Sequence, residues 1–265
     1  MIRRCTHTLR VILTLAKLQL SSAMMYRASF WGAFFADSTL FLVQLLFFRV
    51  IAANGNIGDW NAHHLTVFIG TFTALDGLYM ATYFFGIIRL PNQIRTGNLD
   101  LAIVKPVNTL LYVTLGSINL GSLALFLLGL GVVGYGASQL GAITLAGMLQ
   151  FLVVFLLMYV LMYALMLCLR TASFWLTRVN ALSQVENTLV EFSFKLPAPA
   201  IAGIWKVLLF VVLPYGLMAN MPAQALFGPF GLTEWAYSLG TTVCFLLLAV
   251  WLWNKGMQRY DSASS

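Results

Sequence analysis

Of 265 residues, 60% are hydrophobic and only 9% are charged, and the mean hydropathy is +0.87. A soluble domain carries about 25% charged residues, so this chain cannot cover a water-facing surface, and lipid is its solvent. The formal net charge of +7 sits at the ends of apolar runs and forms no basic stripe with interleaved aromatics, which argues against a nucleic-acid partner.

The apolar runs are helix-length, since a span needs roughly 20 apolar residues. The alternating pattern of an outer-membrane barrel is absent. The expected fold class is therefore all-α and polytopic, a single transmembrane domain over residues 1–265. Residues 1–26 interleave Arg3, Arg4, Arg10 and Lys17 with Leu9, Ile12, Leu13, Leu15 and Leu18, the pattern of an amphipathic helix lying at the headgroup level. No short apolar core with a small-residue cleavage site follows Met1 to Arg4, so no cleaved signal peptide is expected.

Six spans follow, over residues 28–51, 65–88, 109–135, 143–169, 201–220 and 234–254. Between the fourth and fifth, Trp175, Val179, Leu182, Val185, Leu189 and Phe192 recur at helical spacing, away from Arg178, Asn180, Gln184, Asn187 and Glu191. That segment reads as an interfacial amphipathic helix ended by Pro197 and Pro199. Pro214 falls within the fifth span, where it bends or breaks the helix. Basic residues cluster in the N-terminal segment, in the 89–108 loop, at Arg170 and Arg178, and at Lys255 and Arg259. The opposite loops have none, Arg49 apart. The positive-inside rule then places both termini on the cytoplasmic side of a cytoplasmic (inner) membrane, in agreement with an even number of spans.

Few residues offer chemistry. Asp37 and Asp76 fall inside the first and second spans. A charge at mid-bilayer costs at least about 2.5 kcal/mol, so each faces protein or water. They read either as part of a polar translocation path or ion relay, or as structural bonds between helices. Gln44 lies seven residues after Asp37 and shares its helix face; with Asn119 in the third span it lines the same seam or glues helices together. The small-residue pairs Gly70/Ala74 and Thr73/Gly77 permit close helix contact. Cys5, Cys168 and Cys244 are scattered, and His7, His63 and His64 have no ligand cluster around them, so no metal is expected. There is no G-x-x-x-x-G-K-[ST] run and no nucleophile elbow, so the chain is not expected to bind a nucleotide by that route or to be an enzyme.

The informative segment is the 89–108 loop. It carries Leu99, Leu101, Ile103 and Val104 between polar residues, more apolar content than a bland loop requires. A short helix docking into a partner's groove would need it. The run Arg95-x-Gly97-x-Leu99-Asp100, followed by Lys105-Pro106-Val107, resembles the loop after the second span in permeases of type-2 ATP-binding-cassette exporters, in the six-span subgroup. Phe192-Ser-Phe-Lys-Leu-Pro197, Leu213-Pro214 and Met221-Pro222-Ala223 resemble the same subgroup around its fifth span. Asn98 stands where that subgroup often has an acidic residue, and Leu196-Pro197 where it often has Tyr-Pro.

The resemblance implies a coupling helix over Ile94 to Val104. Ile94, Arg95, Gly97, Leu99, Asp100, Ile103, Val104, Lys105 and Pro106 would engage a separate ATPase subunit. It also implies a second permease, the same chain or a related one, with ATP and Mg²⁺ held by the ATPase subunits and no cofactor on this chain. Export is implied by the same likeness. The apolar, aromatic seam favours an amphiphilic or lipid-like cargo. The competing reading is a stand-alone, ion-coupled transporter or channel that uses Asp37 and Asp76. Internal symmetry between the halves would support it, and none is found.

Overall fold

The structure, a computed structural model, describes residues 57–141, 144–176, 180–228 and 230–260, together with 11, 14–18, 32, 35, 38–39, 41–48 and 50. The described residues between 11 and 50 are helical. Most of the N-terminal helix and much of the first span, Asp37 included, lie outside the described residues. The described residues form no strand; a lone bridge, Ile57 to Trp60, closes a turn at Gly58, whose φ of +59° suits glycine.

Helix α1 (Ala62–Thr82) begins at a reciprocal cap. Asn61 Oδ1 accepts the His63 and His64 N–H groups at 2.9 and 3.1 Å, and His64 Nδ1 accepts the Asn61 N–H at 3.2 Å. These bonds satisfy donors that a helix start otherwise leaves orphaned. Tyr83 interrupts the helix, and α2 (Phe84–Arg95) continues it beyond the expected end at residue 88. A short loop helix, α3 (Asp100–Ile103), leads to α4 (Thr109–Leu115).

The expected continuous third span is broken. After α4 the chain turns through Gly116-Ser117-Ile118-Asn119 and restarts as a single turn at Leu120–Ser122, then α5 (Leu123–Gln139). Asn119 is exposed and caps that restart: its Oδ1 accepts the Gly121 N–H at 3.2 Å, and its own N–H donates to Ala81 O at 3.0 Å. It therefore acts as a helix cap, a role its short polar side chain favours, at a break in the expected span.

Helices α1 and α5 touch backbone to backbone. A Cβ on Gly129 would lie 2.2 Å from Ala74 N, and one on Gly77 would lie 2.3 Å from Phe126 N. The small-residue pairs thus form this interface, as they do wherever membrane helices approach without bulky side chains.

Helix α6 (Leu145–Thr171) follows, then α7 (Asn180–Lys195). Next come α8 (Gly203–Val207), a π-helical turn (Leu208–Val212), and α9 (Leu217–Phe227) beyond Pro214. The last helix, α10 (Leu232–Arg259), has 28 residues, about 42 Å. Among the described residues, four helices are long and apolar enough to cross a membrane: Ala62–Thr82, Leu120–Gln139, Leu145–Phe174 and Leu232–Arg259. The all-α polytopic expectation holds.

The expected fifth span, 201–220, is not one straight helix. Its two arms bend by 83° at Leu213-Pro214, where proline removes a donor and Leu213 leaves helical geometry. Both ends of this bent pair meet the same end of the bundle. A Cβ on Gly58 would lie 2.7 Å from Pro199 Cβ, just before the pair. Phe227, at its close, packs edge-on against Trp60 and His64 with centroids 5.5 and 4.3 Å apart. The start of α6 is there too, because Gly147 abuts Leu226 O. The end of α6 lies about 40 Å away at 1.5 Å per residue. The chain returns from there to Pro199 through α7.

Candidate functional site

The loop between α2 and α4 is built at the end of the bundle opposite Trp60. Helix α2 closes when Thr96 N–H donates to Asn92 O at 2.9 Å, and Gly97 then adopts φ +74°. A side chain at that φ would be strained, so glycine lets the chain reverse there. Gly97 O accepts the Asp100 N–H at 3.1 Å and starts α3. After Lys105-Pro106, Asn108 Oδ1 accepts the Leu111 N–H at 3.0 Å and starts α4.

The loop's apolar residues divide into two sets. Leu99 is fully buried and Ala102 nearly so; both pack with Leu90 of α2, Val113 of α4, Ala164 and Leu167 of α6, and Ala249 and Trp253 of α10. Leu101, Ile103 and Val104 point away, at 66%, 39% and 79% exposure. One set fastens the loop to four helices at once, and the other offers an apolar face to something outside the chain. Leu99, expected to dock, is therefore an anchor. Arg95 is exposed and donates to Asn92 Oδ1 at 3.3 Å, and Ile94 is half-buried against the anchoring cluster.

Polar contacts fix the loop further. Lys105 Nζ donates to the Tyr112 hydroxyl and stands 4.2 Å from that ring's centroid, a cation–π arrangement. Pro106 is exposed beside it. The Tyr260 side chain, just past the end of α10, lies beside Asp100. Burial first, and then Asp100, hold its hydroxyl above the ordinary tyrosine range. Displacing the loop must therefore move α2, α4, α6 and α10.

Asp76 is buried and accepts a hydrogen bond from the Tyr79 hydroxyl one turn on. Gln44 is half-buried, one turn from Phe41, whose ring meets Phe72 of α1 at 5.2 Å. Pro214 is buried at the bend. Among the described residues no group of His, Cys, Asp and Glu could hold a metal ion.

Two polar features escaped the sequence reading. Arg170, on the last turn of α6, forms a 2.7 Å ion pair with Glu186 of α7, both side chains 2% exposed. Tyr215, one residue past Pro214, donates to Glu186 Oε1 at 3.1 Å. This triad joins the end of α6, the middle of α7 and the bend. Beside it, the Tyr83 hydroxyl donates to Tyr159 O at 2.9 Å, and the Thr82 and Tyr159 hydroxyls share a 2.6 Å bond. An arginine at a span end ordinarily snorkels towards water, and nothing in the spacing of Arg170 marks it as turned inward.

The geometry thus consists of membrane helices, a bent pair at one end, and a braced loop with an outward apolar face at the other. No curated protein and no solved structure matches the chain. The family model described as ABC-2 family transporter protein matches residues 38–264, so the chain belongs to the ABC-2 transporter family, as a transmembrane permease subunit.

Proposed function

We propose that this permease takes its power stroke through Leu101, Ile103 and Val104, which dock on a separate ATP-binding-cassette ATPase. The observation that carries this reading is the division of one short loop into an anchored set and an exposed apolar set. An apolar helix turn in water is unfavourable unless a partner's groove covers it. ATP and Mg²⁺ belong to that partner. Closure of the ATPase dimer pushes α3, and the buried Leu99 and Ala102 pass the displacement to α6 and α10. Such a push shifts the seam between inward- and outward-open states only so far as the ATPase binds them differently.

In this reading α7 makes the fifth crossing and the bent pair re-enters from the side on which it starts. Six crossings remain, with both termini and the α3 loop on the cytoplasmic side of the inner membrane, a placement that the distribution of basic residues supports. A second permease completes the path, and the apolar, aromatic seam suits export of an amphiphilic or lipid-like compound.

The test is purification of the chain in mild detergent with its partners, as wild type and as the Leu101→Asp/Val104→Asp variant. An ATPase subunit is expected with the wild type and at least tenfold less with the variant, at an unchanged unfolding midpoint. Equal recovery with both would show that this face is not the docking element. A chain that transports alone down an ion gradient, and loses transport on Asp76→Asn, would favour the ion-coupled reading instead.

A further inference from the structure

Near the cytoplasmic end assigned to α10, a groove of about 620 Å³ lies between that helix and the turn after α6. Its lining is Trp175, Trp251, Leu252, Lys255, Gln258 and Arg259. The turn is pinned by Phe174, which fills the space over Gly256: a Cβ there would fall 2.2 Å from Phe174 Cδ2. Phe174 also meets Trp253 and Tyr260 edge-on. With the turn so fixed, Trp175 stands beside the outer face of α10.

Trp251, Lys255 and Arg259 follow at four-residue steps, so they share one helix face. Trp175 and Trp251 are 38% and 55% exposed, and Lys255 and Arg259 are exposed too. Among the described residues, no carboxylate forms an ion pair with Lys255 or Arg259. Depth along the helix sorts these groups. About 20 residues cross the hydrocarbon; counted from Trp235, past the Glu234 carboxylate, they end at Asn254, one turn beyond Trp251. Lys255 lies at that boundary and Arg259 about 7 Å beyond it, at the headgroups.

We propose that this groove binds an anionic phospholipid. An acyl chain lies against Trp175, Trp251 and Leu252, and the headgroup phosphate sits between Lys255 and Arg259. The apolar floor belongs at the depth of the chains and the cations at the depth of the phosphates, an order that a soluble anion does not require. Tryptophan favours this interfacial level, and each cation near an anionic surface favours binding about fivefold. The site is separate from α3 and stands whether or not an ATPase docks there.

The experiment uses the purified full chain in mixed micelles, with tryptophan quenching by brominated phosphatidylglycerol and by brominated phosphatidylcholine. The signal of Trp175 and Trp251 is the difference between wild type and Trp175→Phe/Trp251→Phe. Phosphatidylglycerol is expected to be preferred at least about fivefold. Lys255→Gln/Arg259→Gln is expected to bring the preference to about one, while Lys206→Gln, on α8, leaves it unchanged. Millimolar inorganic phosphate is expected not to compete. Equal quenching by the two lipids in wild type, or a preference that survives the double variant, would overturn the site. Competition by inorganic phosphate would overturn its assignment to a lipid.

Discussion

Arg170 Nη2 lies 2.7 Å from Glu186 Oε2, with both side chains all but sealed from solvent. The pair ties the end of α6 to the middle of α7, and Tyr215 adds the bend at Pro214 to the same knot. Removing one partner leaves a buried charge without its counter-ion and costs about 3–5 kcal/mol, whereas replacing both with apolar residues is often neutral. Glu186→Ala should therefore lower the unfolding midpoint sharply, and Arg170→Met/Glu186→Leu should lower it less than either single change. Thermal unfolding in detergent checks the order, and a double variant worse than both singles would show that the pair is not a unit.

The α1–α5 contact gives a second expectation. Gly129 has no room for a Cβ, while the space over Gly131, two residues on, is open. Gly129→Ala must push two backbones apart, and overpacking costs about 1–3 kcal/mol. Gly131→Ala should be silent. Comparing the unfolding midpoints of the two variants tests whether backbone contact holds these helices.

Anchor and docking face in the α2–α4 loop can be separated by stability. Leu99→Ala removes a fully buried side chain and should cost about 2–5 kcal/mol, with loss of folded protein. Leu101→Ala trims an exposed one and should leave the unfolding midpoint within about 0.5 kcal/mol of wild type. The same midpoint for both would mean that the loop is not fastened through Leu99.

Asp76 accepts from Tyr79 on its own helix. Asp76→Asn keeps an acceptor oxygen there, so ATP-driven transport should stay near the wild-type rate. Transport lost with normal folding would give Asp76 the relay role.

Helix existence was legible because hydrocarbon demands long apolar runs, and the four long apolar helices among the described residues fall where those runs lie. The 89–108 loop was legible through its surplus of apolar residues. Which of them face inward was not, because Leu99 and Leu101 differ only in direction, and direction is set by Trp253 and Leu167 from distant parts of the chain. The break at Asn119 did carry a signal, since Gly116, Ser117, Gly121 and Ser122 flank it, but the long apolar runs on either side outweighed that turn-forming cluster. In residues 171–195 the polar positions looked solvated, yet Glu186 is enclosed by Arg170 and Tyr215. A buried ion pair is indistinguishable in sequence from two surface charges. Pro214 marked a bend, but only the contacts of Pro199 and Phe227 with one end of the bundle show that the pair returns.

Site-specific cross-linking from the α3 face tests most directly whether this loop meets the ATPase. Val104→Cys, in a chain with Cys5, Cys168 and Cys244 replaced by serine and labelled at that thiol with a benzophenone maleimide, should cross-link to the ATPase subunit on illumination. Leu152→Cys, on the exposed side of α6, should not. An ATPase that assembles with the chain yet cross-links from neither position, or equally from both, would contradict docking through α3.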